Sequence, residues 1–444
     1  MTKVIRFLAQ CIDQNTGDVL EESIMNEEVL QKASTLQELG YTHIKQIDFL
    51  QQMQDFKIKH QIILNTVNTC PSCESRTVKS GIFKSKFHAV LTDHTVAMQR
   101  TQCKCGWYGK CSLDGIFGSN IHPDLLQKQA LQGSKESYEK SSRSLNAESA
   151  KKRPVNGHSQ IAVTVKLVGE KLEEVNIAEK EIDELKFVPQ LIANIDGGHV
   201  KARGDNRSFE AMVATVYKPM KLKRVDKNHN ALEAKTIVAS AKSDEQTTMK
   251  TLFKNACITE GMGKGTEVTC LADGADNCKS IAYSIAGDCK SMTYILDWFH
   301  IAMKFQNISI PEIGKELLQS TKWNLWHNNC DKALERLKEL MEIETIAADK
   351  PLYLKLSRLS TYIFNNQDGI VNYEERKNKG LVFTSNLAES TVNTLINERQ
   401  KGKQKMLWGR EGAHNILQIR AAVRSNSWED NWAKVQSNIY KIAA

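Results

Sequence analysis

Short apolar segments alternate with charged turns between residues 191 and 298, and this pattern predicts strands and helices in a mixed order. A helical pattern follows the third apolar segment, and another follows the fourth. Three strands, a helix, a strand, a helix and a strand predict an α/β fold with a mixed sheet. The predicted strands are short runs rich in branched aliphatic residues: 191–196, 210–217, 233–240, 266–272 and 292–298.

Helical periodicity dominates on both sides of this alternation. Residues 310–375 are almost entirely helical in pattern and interrupt the strand-helix order, while 386–440 return as helix with basic loops. Near the N-terminus a short strand-like start precedes IKQIDFLQQMQDF, where apolar residues recur every three positions. That helix is either an oligomerisation element or a packing helix of the first domain.

Size and charge narrow the class of protein. A chain of 444 residues is too long for one compact core, so several domains are expected. The formal net charge of +8 suits a polyanionic partner such as nucleic acid. No segment approaches the roughly 18 apolar residues of a membrane span, and the start of the chain does not resemble a secretory signal. We therefore expect a cytoplasmic, nucleoid-associated protein.

The cysteines do not form a disulfide framework. Several are scattered in apolar surroundings, among them Cys257 and Cys270, as expected of reduced core thiols. Four others are spaced as zinc ligands, in a Cys-Pro-Ser-Cys and a Cys-Lys-Cys knuckle. The second knuckle is tighter than usual, so Cys111, His88 or His94 is an alternative to one of the four. The predicted structural zinc ligands are Cys70, Cys73, Cys103 and Cys105.

Two aspartates stand at the predicted ends of strands, beside glycine. Asp196 precedes Gly197-Gly198, and Asp273 precedes Gly274. A carboxylate in this position can face both a metal ion and a backbone phosphate. Displacement at phosphorus is served by two Mg²⁺ or Mn²⁺ ions, which need only a few carboxylates from distant segments. A structural role for either aspartate, in a turn or a helix cap, is the alternative.

Three sequence motifs contain further acidic residues: ADGADN around Asp273, LDWFHIAMK from residue 296, and GLVFTSNLAES, which ends at residue 390. Together they resemble the DDE transposases of bacterial insertion sequences, within the Mutator-like group. KWNLWHNNCDKALERL and the tail from MLWGREGAH also resemble this family. The resemblance covers about residues 190–435.

The resemblance implies an RNase H-like mixed-sheet core that is interrupted by an all-α insertion. It makes Glu389 the third catalytic acid with Asp196 and Asp273, and the competing acids are Asp276 and Glu398. It also implies metal-dependent strand cleavage and strand transfer of an insertion-sequence element. The alternatives are a non-catalytic zinc-containing DNA-binding protein and an RNase H-like nuclease without strand transfer.

The strand-helix junction carries two further candidate residues, Asp297 and His300. Their i, i+3 spacing would let both face the cleft, with a role in orienting DNA or supporting a metal ligand. Alternatively, Asp297 fixes a turn and His300 caps the helix.

Basic residues are the candidate contacts to double-stranded DNA, on which we expect the chain to act as a homo-oligomer. Residues 123–173 are either a helix-turn-helix motif or a helical linker, and the basic run after Glu389 predicts a loop along a DNA backbone. Trp298 or Trp408 would either stack on a splayed base or be buried. The predicted phosphate contacts are Lys151, Lys152, Arg153, Arg399, Lys401, Lys403, Lys405 and Arg410.

These patterns divide the chain into six segments, with zinc-ribbon-like and helical DNA-binding modules before the core. They are an N-terminal region (1–64), a zinc-ribbon-like module (65–118), a helical segment (119–188), the first part of the core (189–309), the helical insertion (310–378), and the Glu helix with a basic tail (379–444).

Overall fold

A computed structural model gives the fold of residues 3–204, 207–224, 230–385, 391–401 and 406–441. The chain divides into two compact units, one formed by Met1–Lys171 with Trp432–Ala444 and the other by Leu172–Asn431. None of the helices in these described ranges has the length and apolar character needed to cross a membrane.

The first unit contains two antiparallel hairpins and a set of helices. One hairpin pairs β1 (Lys3–Ile12) with β2 (Val19–Leu30), and the other pairs β3 (Val78–His88) with β4 (Asp93–Gln102). Thr42 caps the long helix α1, because its side chain accepts a hydrogen bond from the amide of Lys45. The helices that begin in this unit are α1 (His43–Leu64), α2 (Leu113–Phe117), α3 (Pro123–Lys135), α4 (Tyr138–Ala147) and α5 (His158–Ile177).

The segment predicted as a helix-turn-helix motif contains three helices rather than two. Pro123 stands in the first turn of α3, as its fixed φ allows. Ten residues separate α4 from α5, and they include a 3₁₀ turn at Pro154–Asn156. The connection is longer than the three or four residues of a helix-turn-helix motif.

The second unit is built on a five-stranded mixed sheet, which confirms the predicted α/β class. The spatial order is β11-β10-β5-β6-β9, in which β5 is parallel to β10 and antiparallel to β6. A small hairpin, β7 with β8, lies outside this sheet and was not predicted. The strands are β5 (Gln190–Lys201), β6 (Ser208–Tyr217), β7 (Leu222–Arg224), β8 (Asn230–Leu232), β9 (Thr236–Ser240), β10 (Glu267–Ala272) and β11 (Ser291–Leu296).

Apolar side chains alternate between the two faces of this sheet and fill a separate core on each face. Ile195 and Val268 lie in the core beneath α6 and α7, whereas Ile192, Leu271 and Ile295 lie in the core shared with the helical block from α8 onwards. The helices of this unit are α6 (Thr247–Thr259), α7 (Asp276–Tyr283), α8 (Trp298–Gln306), α9 (Glu312–Trp326), α10 (Cys330–Glu342), α11 (Glu344–Ala347), α12 (Lys350–Asn365), α13 (Tyr373–Asn378), a π-helix (Asn393–Lys401) and α14 (Arg410–Arg424). A final helix, α15 (Trp428–Ile439), leads into the first unit.

The sequence predicted that the first strand of the sheet ends at Asp196, and this boundary is wrong. β5 continues to Lys201, because its second half pairs with β6 after its pairing with β10 has ended at Ile195. Asp196 therefore lies within a strand, at the point where a neighbouring parallel strand stops.

Candidate active site and metal centre

Three aspartates occupy equivalent positions on three adjacent strands, Asp196 within β5 and Asp273 and Asp297 directly after β10 and β11. Ile195, Ala272 and Leu296 lie side by side across β5, β10 and β11, and each is followed directly by an aspartate. Alternation along β5 directs Asp196 to the face that carries Ile192, whereas Asp273 and Asp297 lie just beyond the ends of β10 and β11. Neighbouring strands are about 4.8 Å apart, so Asp196 is adjacent to Asp273, and Asp297 stands one strand further.

Asp196 is a half-buried carboxylate surrounded by other charges. The amide of Gly197 donates a hydrogen bond of 2.7 Å to its Oδ1 atom. Burial raises the pKa of the Asp196 carboxyl; His300 and the Gly197 amide lower it, whereas Asp273 and Asp297 raise it further. A carboxylate that is disfavoured by burial and by like charges is stabilised by a bound cation.

Asp273 begins a tight turn before α7. Its Oδ1 atom accepts a hydrogen bond of 2.9 Å from the Ala275 amide, and its carbonyl accepts one of 2.8 Å from the Tyr362 hydroxyl. Gly274 has a φ of 93°, and a Cβ atom there would stand 2.6 Å from Oδ1 of Asn366. Glycine is therefore required at this position by both conformation and space. Burial, followed by the charges of Asp273 and Asp196, raises the pKa of the Cys278 thiol.

Asp297 is fully buried and joins two segments of the chain. As the N-cap of α8 it accepts a hydrogen bond of 3.0 Å from the Phe299 amide. The same Oδ1 atom accepts a 3.0 Å hydrogen bond from the Ser385 amide, and Oδ2 accepts one from the Ser385 hydroxyl. Nε2 of His300 lies 3.7 Å from Oδ2. Asp297 therefore caps α8, whereas the structural interpretation of the sequence had assigned the cap to His300 and a turn to Asp297.

Glu389, the predicted third acid, lies outside the described residues. The chain on each side of it contacts the sheet near the other two acids. On one side, Ser385 is bound to Asp297 at the end of β11. On the other, Val392 and Ile396 pack against Gly198 of β5, where an added Cβ would stand 2.6 Å from Cδ1 of Ile396.

The two competing acids occupy other positions. Asp276 is exposed in the first turn of α7, where a negative charge favours the helix dipole. Glu398 forms ion pairs with Arg420 at 2.9 Å and with Arg424 at 3.2 Å.

Glu210 is a further carboxylate near this end of the sheet, and the sequence did not predict it as a site residue. Its Oε2 atom accepts a hydrogen bond of 2.8 Å from Asn277, and its Oε1 atom stands 2.5 Å from where a Cβ on Gly197 would be. Gly197 therefore makes room for Glu210. Glu210 also contributes, after Asp273 and Asp196, to the raised pKa of Cys278. Its position depends on strand register, which the apolar pattern of β6 does not reveal.

The four predicted zinc ligands meet in the first unit. Among the described residues they form the only group of three or more metal-binding side chains whose ligand atoms all lie within 4.8 Å of one another. The Sγ atoms of Cys70 and Cys105 are 3.6 Å apart, and those of Cys73 and Cys103 are 3.4 Å apart. Four soft ligands in two knuckles match structural zinc, so this cluster could hold that metal.

Backbone hydrogen bonds shape the two knuckles. In the first, the Cys70 amide donates to the Ser75 carbonyl at 2.8 Å, and in the second, the Cys103 amide donates to the Trp107 carbonyl at 2.9 Å. Gly106 closes the second knuckle with a φ of 93°. Hydrogen bonds from the Ser75 backbone and side chain, and then from Cys103, lower the pKa of the Cys73 thiol to about 6.

The alternative zinc ligands have other partners. Nδ1 of His88 lies 2.8 Å from Asp93, and Nδ1 of His94 lies 2.7 Å from Asp55. Cys111 packs in a small apolar cluster with Leu113. None of the three belongs to the group of four cysteines.

Two of the predicted DNA contacts are wrong, because the side chains are buried. Arg153 is 2% exposed; it donates to Asp93 and to the carbonyls of Ala89, Val90 and Thr92. Arg399 is fully buried, with its guanidinium 4.8 Å from the centre of the Trp408 ring.

Trp408 is itself buried, which is one of its two alternatives, whereas Trp298 is half-buried against Trp326 and Tyr373. Arg410 is exposed, although it donates to the Ala241 carbonyl at 3.1 Å. The remaining predicted phosphate contacts are either exposed (Lys151, Lys152 and Lys401) or outside the described residues (Lys403 and Lys405).

No protein-family model matches the chain, and no curated protein is significantly similar to it in sequence.

Proposed function

We propose that the chain is a DDE-type DNA transposase with an RNase H-like core, which cleaves DNA strands and joins them to target DNA. The observation that carries the proposal is the shared register of β5 and β10. It brings Asp196 and Asp273 side by side at the same level of two neighbouring strands, although 76 residues separate them in the sequence. Two carboxylates side by side on neighbouring strands suit hard cations such as Mg²⁺ or Mn²⁺.

Chain geometry supports Glu389 as the third acid. At about 3.6 Å per residue, Glu389 is at most about 14 Å from Ser385 and about 11 Å from Val392. These neighbours contact Asp297 and Gly198, which lie beside Asp273 and Asp196 respectively. Glu398 is the weaker candidate, because Arg420 and Arg424 neutralise it.

The proposed roles follow from the positions of these side chains. Asp196, Asp273 and Glu389 would hold two divalent ions, which when bound activate the attacking oxygen and stabilise the leaving oxygen. Asp297 anchors the segment that leads to Glu389, and His300 moderates the negative charge around Asp196. Glu210 orients the side chain of Asn277 at the N-terminal end of α7 through a hydrogen bond.

Other parts of the chain support binding to double-stranded DNA. The helical block that follows β11 has the position of the all-α insertion of this family, and the cysteine cluster is the zinc-ribbon-like module. Lys151, Lys152 and Lys401 are exposed cations that would contact phosphates. Arg410 is also exposed and would be a further phosphate contact.

Strand cleavage and joining on DNA that carries the element ends, with Mg²⁺ or Mn²⁺, tests the proposal. We expect Asp196→Asn, Asp273→Asn and Glu389→Gln each to reduce cleavage by at least about 10³-fold, because each removes a charge that stabilises the transition state. Asp276→Asn and Glu398→Gln are the matched controls, since these acids lie near the site in sequence but have other roles. Full activity in all three site variants would exclude this mechanism.

The same assay separates the two alternative functions. A nuclease without strand transfer would release cut DNA and give no joined product. A non-catalytic DNA-binding protein would retain DNA without metal-dependent cleavage, and the Asp196→Asn substitution would leave its affinity unchanged.

A further inference from the structure

The N-terminal hairpin, which consists of β1 and β2, has an inner face toward α1 and an outer face that is exposed and apolar. On the inner face, Phe7 packs edge-on against Phe49 of α1, with the ring centres 5.2 Å apart, and Met25 is buried. Because side chains alternate along a strand, the residues directly before and after Phe7 in β1 point away from α1. Six large aliphatic side chains on this outer face are each 49–52% exposed: Val4, Leu8, Ile12, Val19, Ile24 and Val29.

These residues form cross-strand pairs that alternate with polar pairs. Val4 is opposite Val29, Leu8 opposite Ile24, and Ile12 opposite Val19. Bulges beside Phe7 and Cys11 shift the register and keep these β2 side chains on the outer face. The polar pairs between them are Arg6 with Glu27 and Gln10 with Glu22, each joined by a hydrogen bond.

We propose that this outer face of the hairpin packs against the same face of a second copy of the chain. A two-stranded hairpin is marginally stable alone, and a contiguous exposed apolar face marks an interaction site. The proposal concerns self-association and does not depend on the proposed catalytic function.

The charges select one arrangement of the two copies. With a two-fold axis parallel to the strands, β1 lies over β2 of the second copy, so each apolar pair meets the same pair. Arg6 then faces Glu27 of the second copy, and four alternating charges form a closed group. With the axis across the strands, Glu27 would face Glu22 instead, and like charges would oppose the contact.

The dimensions of the face determine the expected affinity. Ten residues at about 3.3 Å each give a face roughly 33 Å long and two strands wide. This is smaller than a standard interface of about 800 Å² per partner, so we expect a reversible dimer that dissociates in the micromolar range.

Sedimentation of the full-length chain, with zinc present and at roughly 1–100 µM, tests the proposal. We expect a monomer–dimer equilibrium that Leu8→Lys shifts toward the monomer by at least about 10-fold in Kd. Leu36→Lys is the control, because Leu36 is 85% exposed and lies outside the hairpin. A wild-type chain that remains monomeric throughout this range would overturn the proposal.

Exchanging the charges of Arg6 and Glu27 distinguishes a weakened dimer from an unfolded hairpin. Arg6→Glu and Glu27→Arg should each weaken the dimer, and the double variant should restore it, since both the internal and the intermolecular pairs re-form. Circular dichroism and zinc content of each variant report folding separately. If the double variant stays monomeric while folded, or if Leu8→Lys leaves the mass unchanged, the hairpin face is not the interface.

Discussion

The amide of Ser385 donates a hydrogen bond of 3.0 Å to Oδ1 of Asp297, which also caps α8. This contact anchors the chain four residues before Glu389. Asp297→Ala would leave the buried Ser385 amide without this acceptor and remove the cap, at a cost of about 1–3 kcal/mol in unfolding free energy. We expect DNA cleavage to fall by at least about 10-fold in protein that remains folded.

Asp297→Asn is the matched variant, because its remaining oxygen can accept from both amides. It should lose less stability and less activity than Asp297→Ala, as measured by thermal unfolding and cleavage at one temperature. Equal activity in the wild type and both variants would show that this anchor does not position the third acid.

Divalent cations should stabilise the second unit through Asp196. Burial raises the pKa of this carboxyl, so its charged form opposes folding at neutral pH when no cation is bound. Asp196→Asn should therefore raise the metal-free Tm by about 2–4 °C, the shift that roughly 1 kcal/mol gives. It should also abolish the increase in Tm that Mn²⁺ causes in the wild type.

The pH dependence of this difference has a defined sign. Below the ordinary carboxyl pKa of about 3.9, Asp196 is protonated in both the folded and unfolded states, and the advantage of the variant vanishes. The advantage should grow as the pH rises above that value. A variant that is less stable than the wild type at neutral pH in the absence of divalent cations would contradict this account.

Gly198→Ala tests the contact between β5 and the helix that follows Glu389. The new Cβ would stand 2.6 Å from Cδ1 of Ile396, so we expect a loss of about 1–3 kcal/mol and reduced cleavage. Adding Ile396→Val, which removes Cδ1, should recover most of both losses. Chemical denaturation of the two single variants and the double variant measures the coupling, and strictly additive effects would rule out the clash.

The cysteine cluster should bind about one zinc ion per chain. Cys70→Ser and Cys103→Ser should each abolish stoichiometric zinc, as measured by elemental analysis, and destabilise the first unit. Cys111→Ser is the control, because that thiol packs outside the cluster. Zinc retained in both cluster variants would disprove the assignment.

Acid should weaken the first unit through Asp93. The His88 and Arg153 side chains hold the pKa of this carboxyl well below its usual range despite its burial. Its contribution to stability is therefore present above a pH of about 3.9 and is lost as the pH falls toward the lowered value. Asp93→Asn should cost about 1–3 kcal/mol at pH 7, because Arg153 loses its anionic partner.

This cost should shrink in acid, and denaturation curves across pH 3–7 would measure it. Asp124→Asn is the exposed control. An undiminished cost at low pH would exclude a charge effect.

The sequence predicted the central sheet because its strands are continuous apolar runs, and it predicted the cysteine cluster because zinc ligands are local in sequence. It did not predict the true end of β5, since GGHVK has no apolar pattern and is held in the strand by β6. Glu210 was missed for the same reason, because only strand register brings it beside Gly197.

Arg153 shows that a residue in a run of basic side chains can be buried rather than exposed to DNA. KKR is typical of a solvated cluster, but its third member pairs with Asp93, 60 residues earlier, and only the tertiary structure shows this contact. The N-terminal hairpin was only partly predicted, because the two bulges of β2 break its alternation.

The packing of Ile396 on Gly198 also determines when the site can assemble during synthesis. About 200 residues separate the two positions, so at roughly 5–20 residues per second the ribosome needs about 10–40 s to pass from one to the other. Until then the nascent chain contains Asp196 and Asp273 but lacks the segment that covers β5. A translation product that stops before Ile396 therefore contains Asp196 and Asp273 without the side chain that packs on Gly198 beside them.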